Sequence, residues 1–390
     1  MRFGLNLAPQ IRIYGAFFIY SLALGGLYPR LGDLQLAMGV GESALGLALT
    51  GAGIGTMISL TFASPLLDRL GYRRTLTYGI VLLSILIAAT SFALNPAMLF
   101  FTLLVMGLVV GAIEVVANVE ADRTEHLVGR RIMNRCHAFW SFGFFSAGII
   151  GAFAKQAGIS PHVHLLAMVP VVLAGVLLVL GRMTPAAARL HAAGQAKPPR
   201  FAVPSLGILA LVALSLSAMF LEGAGADWSV IFMRDIFNVA PFINGLAFAT
   251  GALAQALARF FADGFIERFG PVAVARLLIV TLGAGAIVIT TAQHPYIALF
   301  GFALAGIGTS AIFPLAMSAA AQRSDRPAAI NVAALAQLSF VAFLIGPPFL
   351  GFIAEHYGVR VSFGICLPLV LLSWFAIAAL KPQPPKDAHG

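Results

Sequence analysis

The 390-residue chain is 60% hydrophobic and only 10% charged, with a mean hydropathy of +0.94. This composition leaves too little polar surface to cover a soluble globule, so we expect an integral membrane protein. The apolar stretches are too long for the alternating strands of a membrane β-barrel, which predicts an all-α fold. At about 20 apolar residues and a short loop per crossing, the chain has room for about twelve helices and no extramembrane domain.

The net charge of +9 raises the question of a nucleic-acid partner, but the positions of the charges argue against one. If the N-terminus is cytoplasmic, four of the 24 Lys and Arg fall on the far side of the membrane, which leaves 24 − 4 = 20 on the cytoplasmic side. The four are Arg30, Lys155, Arg234 and Arg360. This asymmetry follows the positive-inside rule, so we predict cytoplasmic termini and no nucleic-acid partner.

Apolar runs between polar breaks predict six spans in each half of the chain. They lie at about 11–29, 44–63, 75–94, 98–120, 137–157 and 163–181, then at about 204–227, 241–262, 272–292, 295–321, 328–354 and 359–380. We therefore expect an N-terminal six-helix bundle (1–181), a cytoplasmic linker (182–203), a C-terminal six-helix bundle (204–380) and a cytoplasmic tail (381–390). The first span shows no A-x-A site and is expected to remain uncleaved.

The stretch SPLLDRLGYRR at 64–74 predicts a tight polar turn between the second and third spans. A looser copy, ARFFADGFIERFGP, occupies 258–271, and its Asp263 lies 195 residues after Asp68. A feature that recurs at half the chain length indicates a duplicated architecture. We expect both copies to form cytoplasmic latches, made of Asp68, Arg69, Gly71, Arg73 and Arg74 in the first half and of Arg259, Asp263 and Arg268 in the second.

The first stretch matches the loop signature G-x-x-x-D-R-x-G-R-R except that Ser64 replaces the opening glycine. With this signature the chain resembles the major facilitator superfamily over its full length, and within it a bacterial inner-membrane permease group distantly similar to sugar (fucose-type) permeases. The resemblance implies two six-helix bundles that rock around a solute bound near the membrane midplane. It also implies that the first and seventh spans face each other, so we expect Arg30 to pair with Glu222 or Asp227 as a periplasmic gate.

Carboxyl groups inside the spans are the best candidates for a functional site, because a charge at bilayer depth is costly. Glu114 lies past the middle of the fourth span, and Asn118 follows four residues later on the same helical face. Glu222 lies in the seventh span. We interpret these three residues as the proton-coupling and substrate cavity. The alternative for Glu114 is a structural carboxyl bonded to a neighbouring helix.

Several other polar and aromatic residues have two possible roles. His137 opens the fifth span and can act as a proton relay, although a structural hydrogen bond to Glu120, Glu125 or Ser141 is favoured. Asp227 and Trp228 can equally form an interfacial cap and an aromatic anchor. The prolines at 314, 347 and 348 are expected to interrupt the tenth and eleventh spans. Possible cavity aromatics are Tyr28, Phe139, Trp140 and Phe232.

The sequence shows no phosphate-binding loop, metal constellation or nucleophile–base pair, so we expect no cofactor, no metal and no enzymatic activity. We predict a monomeric, proton-coupled secondary transporter whose partners are the lipid bilayer and a small polar solute, such as a sugar, taken up across the bacterial inner membrane. A drug or metabolite exporter is an alternative, disfavoured because the fourth span carries Glu114 instead of arginine. A non-transporting receptor or scaffold is another, disfavoured because no signalling segment is present.

Overall fold

The computed structural model describes residues 4–63, 67, 69–187 and 202–381. Within these residues the chain forms twelve helices long and apolar enough to cross a membrane, and no strand. The helices are α1 (Pro9–Met38), α2 (Glu42–Phe62), α3 (Tyr72–Thr90), α4 (Pro96–Val128), α5 (Met133–Gln156), α6 (Pro161–Leu180), α7 (Leu206–Phe237), α8 (Pro241–Phe269), α9 (Pro271–Thr291), α10 (Pro295–Gln322), α11 (Ala328–Tyr357) and α12 (Val359–Leu380). The predicted all-α class with twelve spans is confirmed.

Some predictions fall on residues outside this description. Asp68, most of the linker and all but the first residue of the tail are among them. The latch role of Asp68 and the exact bounds of the four predicted segments therefore stay predictions.

The helix starts follow directly from the sequence. Six of the twelve helices begin with a proline, whose missing N–H is not needed in the first turn. At the start of α4 the Asn95 side chain also accepts a hydrogen bond from the Met98 amide at 2.9 Å. Such N-caps satisfy a backbone donor that has no partner inside the helix. The short loops of the protein are therefore set by local chemistry.

Interruptions of two helices shape the interior. In α1 a 3₁₀ turn at Tyr28–Arg30 separates Pro9–Gly25 from Leu31–Met38. In α10 the helix stops at Thr309 and resumes at Ile312, just before Pro314. Proline has no N–H for the carbonyl four residues earlier, so the Ser310 carbonyl is left free to bind elsewhere. The break expected in α11 is absent, because Pro347 and Pro348 lie inside a continuous helix.

Several helices are longer than the apolar runs predicted. The first span continues to Met38 and the seventh to Phe237, because polar turns at a membrane surface can extend a helix beyond its apolar part. Asp227 and Trp228 consequently lie ten and nine residues before the end of α7. Trp228 is fully buried, and its ring lies against Gly351 of α11. The alternative of an interfacial cap and anchor is therefore wrong for Trp228.

Odd-numbered helices begin at one face of the membrane and even-numbered helices at the other. We call the first the basic face, because it holds most of the arginines, and the second the opposite face. The basic face carries the loops after α2, α4, α6, α8 and α10. Arg69, Arg74, Arg130, Arg131 and Arg268 are exposed there.

The two halves repeat the same backbone packing. A side chain at Gly55 of α2 would overlap the Leu104 carbonyl oxygen of α4, and one at Gly306 of α10 would overlap the Gly251 carbonyl of α8. In lipid, small residues allow such close helix approach. The pair α8/α10 lies six helices after α2/α4, so the duplication predicted from the sequence is visible in the packing.

The structure corrects the register of the duplicated loop. Gly71 has φ 76° and ψ 152°, and Gly270 has φ 80° and ψ 158°, each directly before the next helix. These left-handed values favour glycine, so the two positions are equivalent. Aligning Gly71 with Gly270 places Glu267 and Arg268, and not Asp263, in the positions of Asp68 and Arg69. Asp263 therefore lies one helical turn before the true counterpart of Asp68.

The halves meet through α1 with α7, α2 with α11, and α5 with α8. At the opposite face four hydrogen bonds cross between them among the described residues. Arg234 donates from Nη1 to the Gly32 carbonyl at 3.1 Å and from Nη2 to Gln35 Oε1 at 3.0 Å. The Ser43 amide donates to Glu355 at 2.7 Å, and the Phe242 amide donates to Gln156 at 3.1 Å. We call these four bonds the opposite-face seam.

Candidate functional site

An ion pair lies near the middle of the membrane. Arg259 Nη2 of α8 is 3.2 Å from Oε1 of Glu222, which stands halfway along α7. The two side chains are only 13% and 26% exposed. A buried charge is tolerated when a partner compensates it, so each of these residues makes the other possible at this depth.

The remaining donors of Arg259 connect it to two further helices. Its Nε donates to the Ser310 carbonyl at 2.9 Å, the group that Pro314 leaves free in α10. Its Nη1 donates to Ser141 Oγ of α5 at 3.0 Å, and its guanidinium lies 5.9 Å from the centre of the Trp140 ring. Arg259 therefore joins α7, α8 and α10 of one half to α5 of the other. It is an interior residue, so its predicted place in a cytoplasmic latch is wrong.

Uncharged polar residues extend this network. Ser141 donates to Gln255 Oε1 at 3.2 Å, and Gln255 Nε2 donates to Thr309 Oγ1 at 3.1 Å. All three are buried. We call the set Glu222, Arg259, Ser141, Gln255 and Thr309 the central network. Sequence reasoning missed Gln255 and Thr309 as site residues, because the only signal is a polar residue inside an apolar helix, and many such residues only bond to their own helix.

The predicted pair on α4 has the expected local geometry. Asn118 Nδ2 donates to Oε2 of Glu114 at 3.0 Å and to the Glu114 carbonyl at 2.9 Å. Both side chains are half-buried. The buried Tyr20 ring lies within electrostatic reach of Glu114. Glu114 thus has an amide partner on its own helix, and no ion pair links it to another described residue.

Arg30 does not form the predicted gate pair. It is buried, and its Nη1 lies 3.1 Å from Asp33, while its Nε donates to His164 Nδ1 at 3.2 Å. Its Nη2 donates to the Ile159 carbonyl at 3.0 Å, and Asp33 is also 2.5 Å from Lys155. The 3₁₀ turn brings Asp33 next to Arg30, so a local carboxylate takes the place of Glu222 or Asp227.

Asp227 lies on α7 away from the ion pair of Glu222 and Arg259. Among the described residues, no hydrogen bond or ion pair to its carboxylate is found. It lines a small void together with Phe220 and Gly223 of the same helix and Phe343 and Gly346 of α11. The charge of Asp227 thus faces an apolar space.

The predicted latches make separate contacts at the basic face. Arg73 donates to the Gly181 carbonyl at 2.7 Å, which ties α3 to the end of α6. Asp263 accepts a hydrogen bond from Asn134 of α5, across the two halves. Arg268 is exposed and lies over Phe269. Of the second-half set, Asp263 therefore makes the contact between halves that a latch requires.

The secondary polar residues lie apart from the central network. Glu125 accepts the amides of Ile132 and Met133 at 2.7 and 3.1 Å, and Glu120 accepts the Ala186 amide at 2.6 Å. The His137 ring packs edge-on against Phe17 at 5.4 Å. No hydrogen bond from His137 to Glu120, Glu125 or Ser141 is found among the described residues, although Glu120 Oε2 is buried without a hydrogen-bond partner.

The four aromatic candidates separate into two groups. Trp140 lies beside Arg259, and Tyr28 lies within electrostatic reach of Asp227 and Glu222. Phe139 instead stacks on Tyr14 at 5.1 Å, and Phe232 is fully buried among Phe237, Phe302 and Phe363. Phe232 is therefore a packing residue of the second half. In the described part of the chain, no group of three or more His, Cys, Asp or Glu side chains is arranged to hold a metal ion.

Two family models match consecutive parts of the chain. The model described as sugar (and other) transporter matches residues 39–193, and the model described as Major Facilitator Superfamily matches residues 210–390. An uncharacterized MFS-type transporter of Yersinia pestis is 28% identical over 378 residues, which cover 96% of each chain.

Solved structures share the fold over nearly the whole length. A D-xylose-proton symporter has a TM-score of 0.73 at 12% identity and covers 97% of this chain and 98% of its own. The nucleoside transporter NupG has a TM-score of 0.71 at 15% identity and covers 96% and 99%. The E. coli fucose:proton symporter FucP has a TM-score of 0.64 at 17% identity, with the same coverage. These structures show the shared fold. The two family models, the Yersinia pestis relative and the twelve spans identify the chain as a multi-pass membrane transporter of the major facilitator superfamily, distantly like the sugar permeases, and not an enzyme.

Proposed function

We propose that the protein is a proton-coupled secondary transporter that moves a small polar solute, such as a sugar or a related metabolite, by alternating access. The observation that carries this proposal is the central network, in which Glu222 and Arg259 pair near the membrane midplane and bind Ser141 of the other half. A titratable group at the junction of two moving bundles can couple its protonation to their movement.

The coupling step follows from the partners of Glu222. When Glu222 takes up a proton it loses its charge, and Arg259 loses its compensating partner. The freed guanidinium then binds solute oxygen atoms more strongly, while Ser141 and Gln255 offer hydroxyl and amide groups. Proton uptake and solute uptake therefore favour each other. Glu114, with Asn118 beside it, supplies a second carboxyl for the same exchange on the first half.

The direction and orientation complete the proposal. The basic face is taken as cytoplasmic under the positive-inside rule, and the membrane as the bacterial inner membrane. The opposite-face seam then closes the periplasmic side in the described conformation. Import of sugar-like solutes is supported by the sugar-transporter family model and by neighbours named as proton symporters for D-xylose and fucose. The working unit is proposed to be a monomer that needs no cofactor.

The test is solute-driven proton entry into proteoliposomes that contain a pH-sensitive dye. D-xylose, fucose and a nucleoside are added in turn, together with a wider metabolite panel. We expect at least one small polar solute to acidify the lumen with the wild-type protein. Glu222→Gln and Glu114→Gln should each uncouple proton entry from solute exchange, whereas Arg276→Gln, which changes an exposed side chain of α9, should not. Intact proton entry in both carboxyl variants would contradict the proposal.

A further inference from the structure

Asp227 differs from the other carboxylates at membrane depth. Glu222 has an arginine partner at 3.2 Å, and Glu114 has an amide partner at 3.0 Å. Among the residues that the structure describes, Asp227 has neither, although it is well inside α7. A carboxylate without a partner in an apolar setting is strongly disfavoured unless another group compensates it during the working cycle. The missing partner is the feature to explain.

The void beside Asp227 is small, about 10 Å³, which is room for one group of the size of a water molecule or a primary ammonium. Phe220 and Phe343 contribute rings from α7 and α11, and the remaining wall is mostly small or aliphatic. A side-chain carbon added at Gly346 would come no closer than 4.0 Å to the Phe220 ring, and one at Gly223 would be 3.6 Å from the Phe343 ring. The two glycines therefore leave space between the rings.

The first half also contributes to this place. Tyr28 of α1 lies within electrostatic reach of both Asp227 and Glu222. Its ring is 5.3 Å from Phe248 of α8 and 5.5 Å from Phe144 of α5. The carboxylate is thus near aromatic rings from both halves. The void itself is lined by α7 and α11 of the second half, so the first half contributes through the Tyr28 side chain near the carboxylate.

We propose that Asp227, with Phe220, Phe343 and Tyr28 around it, forms a subsite for a protonated amine on the transported solute. The carboxylate compensates the positive charge, and the faces of the aromatic rings attract it. An ammonium group also supplies the partner that Asp227 lacks. Arg259 does not compete for this role, because it is already bound to Glu222. The solute is then an amine that also carries hydroxyl or similar polar groups for the central network.

This inference rests on the proposed function only in assigning the amine to a transported solute. Binding is tested without transport, by thermal unfolding of the purified full-length protein in detergent at constant pH and ionic strength. The probes are matched pairs, D-glucosamine with D-glucose, and ethanolamine with its neutral analogue ethylene glycol. A ligand that binds the folded state raises the unfolding temperature.

We expect the cationic member of at least one pair to stabilise the wild-type protein more than its neutral partner. Asp227→Asn should weaken the apparent affinity for that cation about tenfold or more, since it removes a charge-assisted contact. Gly346→Val should weaken it too, because it fills the void without changing any charge. Arg276→Gln, an exposed charge change on α9, should leave it unchanged.

Three results would overturn the subsite. The cationic and neutral members could stabilise the wild type equally, or not at all. Asp227→Asn could keep the preference for the cation. Asp227→Asn could also abolish proton entry while the cation still binds, which would make Asp227 a proton site. Absence of solute-driven proton entry in the proteoliposome assay would count against the proposed function alone and would leave the binding result intact.

Discussion

The two halves hold their central carboxylates in different ways. Glu114 of the first half bonds to Asn118 on its own helix, so its contacts do not depend on how the helices are arranged. Glu222 of the second half bonds to Arg259 on another helix, and Arg259 continues to Ser141 in the first half. One carboxylate is therefore locally satisfied, whereas the other belongs to the contact between the moving bundles. Substitutions should separate these two situations.

The largest effect is expected at the ion pair. Arg259→Gln leaves Glu222 as an uncompensated interior charge. Glu222→Gln leaves Arg259 in the same situation, as an interior charge without its partner. Each should destabilise the protein by about 3–5 kcal/mol, measured by unfolding in detergent. The double variant should regain part of the loss, because no lone charge remains. Arg268→Gln, at an exposed arginine, serves as the control. A double variant that is less stable than both single variants would contradict the pairing.

A smaller effect is expected where the pair connects to the first half. Ser141→Ala removes the acceptor of Arg259 and the donor to Gln255, and leaves both groups buried. The expected loss is about 1–3 kcal/mol of unfolding free energy. Ser146→Ala is the matched control on the same helix, since Ser146 bonds only to the Phe142 carbonyl one turn earlier. Equal losses in the two variants would mean that Ser141 is an ordinary helix residue.

A third comparison uses the loop between α10 and α11. Partial desolvation raises the pKa of Asp325, but hydrogen bonds from Ser205, Asn331 and Arg323 outweigh it and lower that pKa to about 2. Because the folded-state pKa is below the ordinary value of about 3.9, Asp325 stabilises the protein above about pH 4. That contribution should disappear as the pH falls through about 2.

The measurement is unfolding as a function of pH for the wild type and Asp325→Asn. The two curves should differ at pH 6 and converge towards pH 2. The gap should be modest, because the loop is accessible to solvent. A constant gap over this range would show that the aspartate charge is not the cause.

The smallest effect is expected for Glu114→Gln. An amide can still accept the hydrogen bond from Asn118, and no cation loses a partner, so the unfolding free energy should change by less than about 1 kcal/mol. Glu222→Gln is the comparison, with its several-fold larger loss. A loss at Glu114 as large as that at Glu222 would mean that a contact to another helix stabilises it, and the contrast between the halves would fail.

The sequence predicted the features that depend on neighbours along one helix. Apolar runs predicted the twelve spans, and the four-residue spacing predicted that Glu114 and Asn118 share one helical face, where the structure joins them by a hydrogen bond. Contacts between helices were not predictable in this way. The pairing of Arg259 with Glu222 depends on the rotation and depth of two helices, which apolar periodicity does not determine. Arg30 shows the same limit. It pairs with Asp33, three residues away in the same helix, and not with a carboxylate of the seventh helix as the packing of the two halves was expected to allow.

The opposite-face seam has a consequence for how the protein tolerates mutation over evolution. In three of its four hydrogen bonds one partner is a main-chain group, the carbonyl of Gly32 or the amide of Ser43 or Phe242. The fourth bond joins the side chains of Arg234 and Gln35. Side-chain substitution does not delete a main-chain group, apart from replacement of an amide donor by proline. Loss of a seam bond by substitution therefore requires a change at Arg234, Glu355, Gln156 or Gln35. The residues that face them can vary while the seal is kept, which allows the outer mouth to adapt to a new solute without losing its closure.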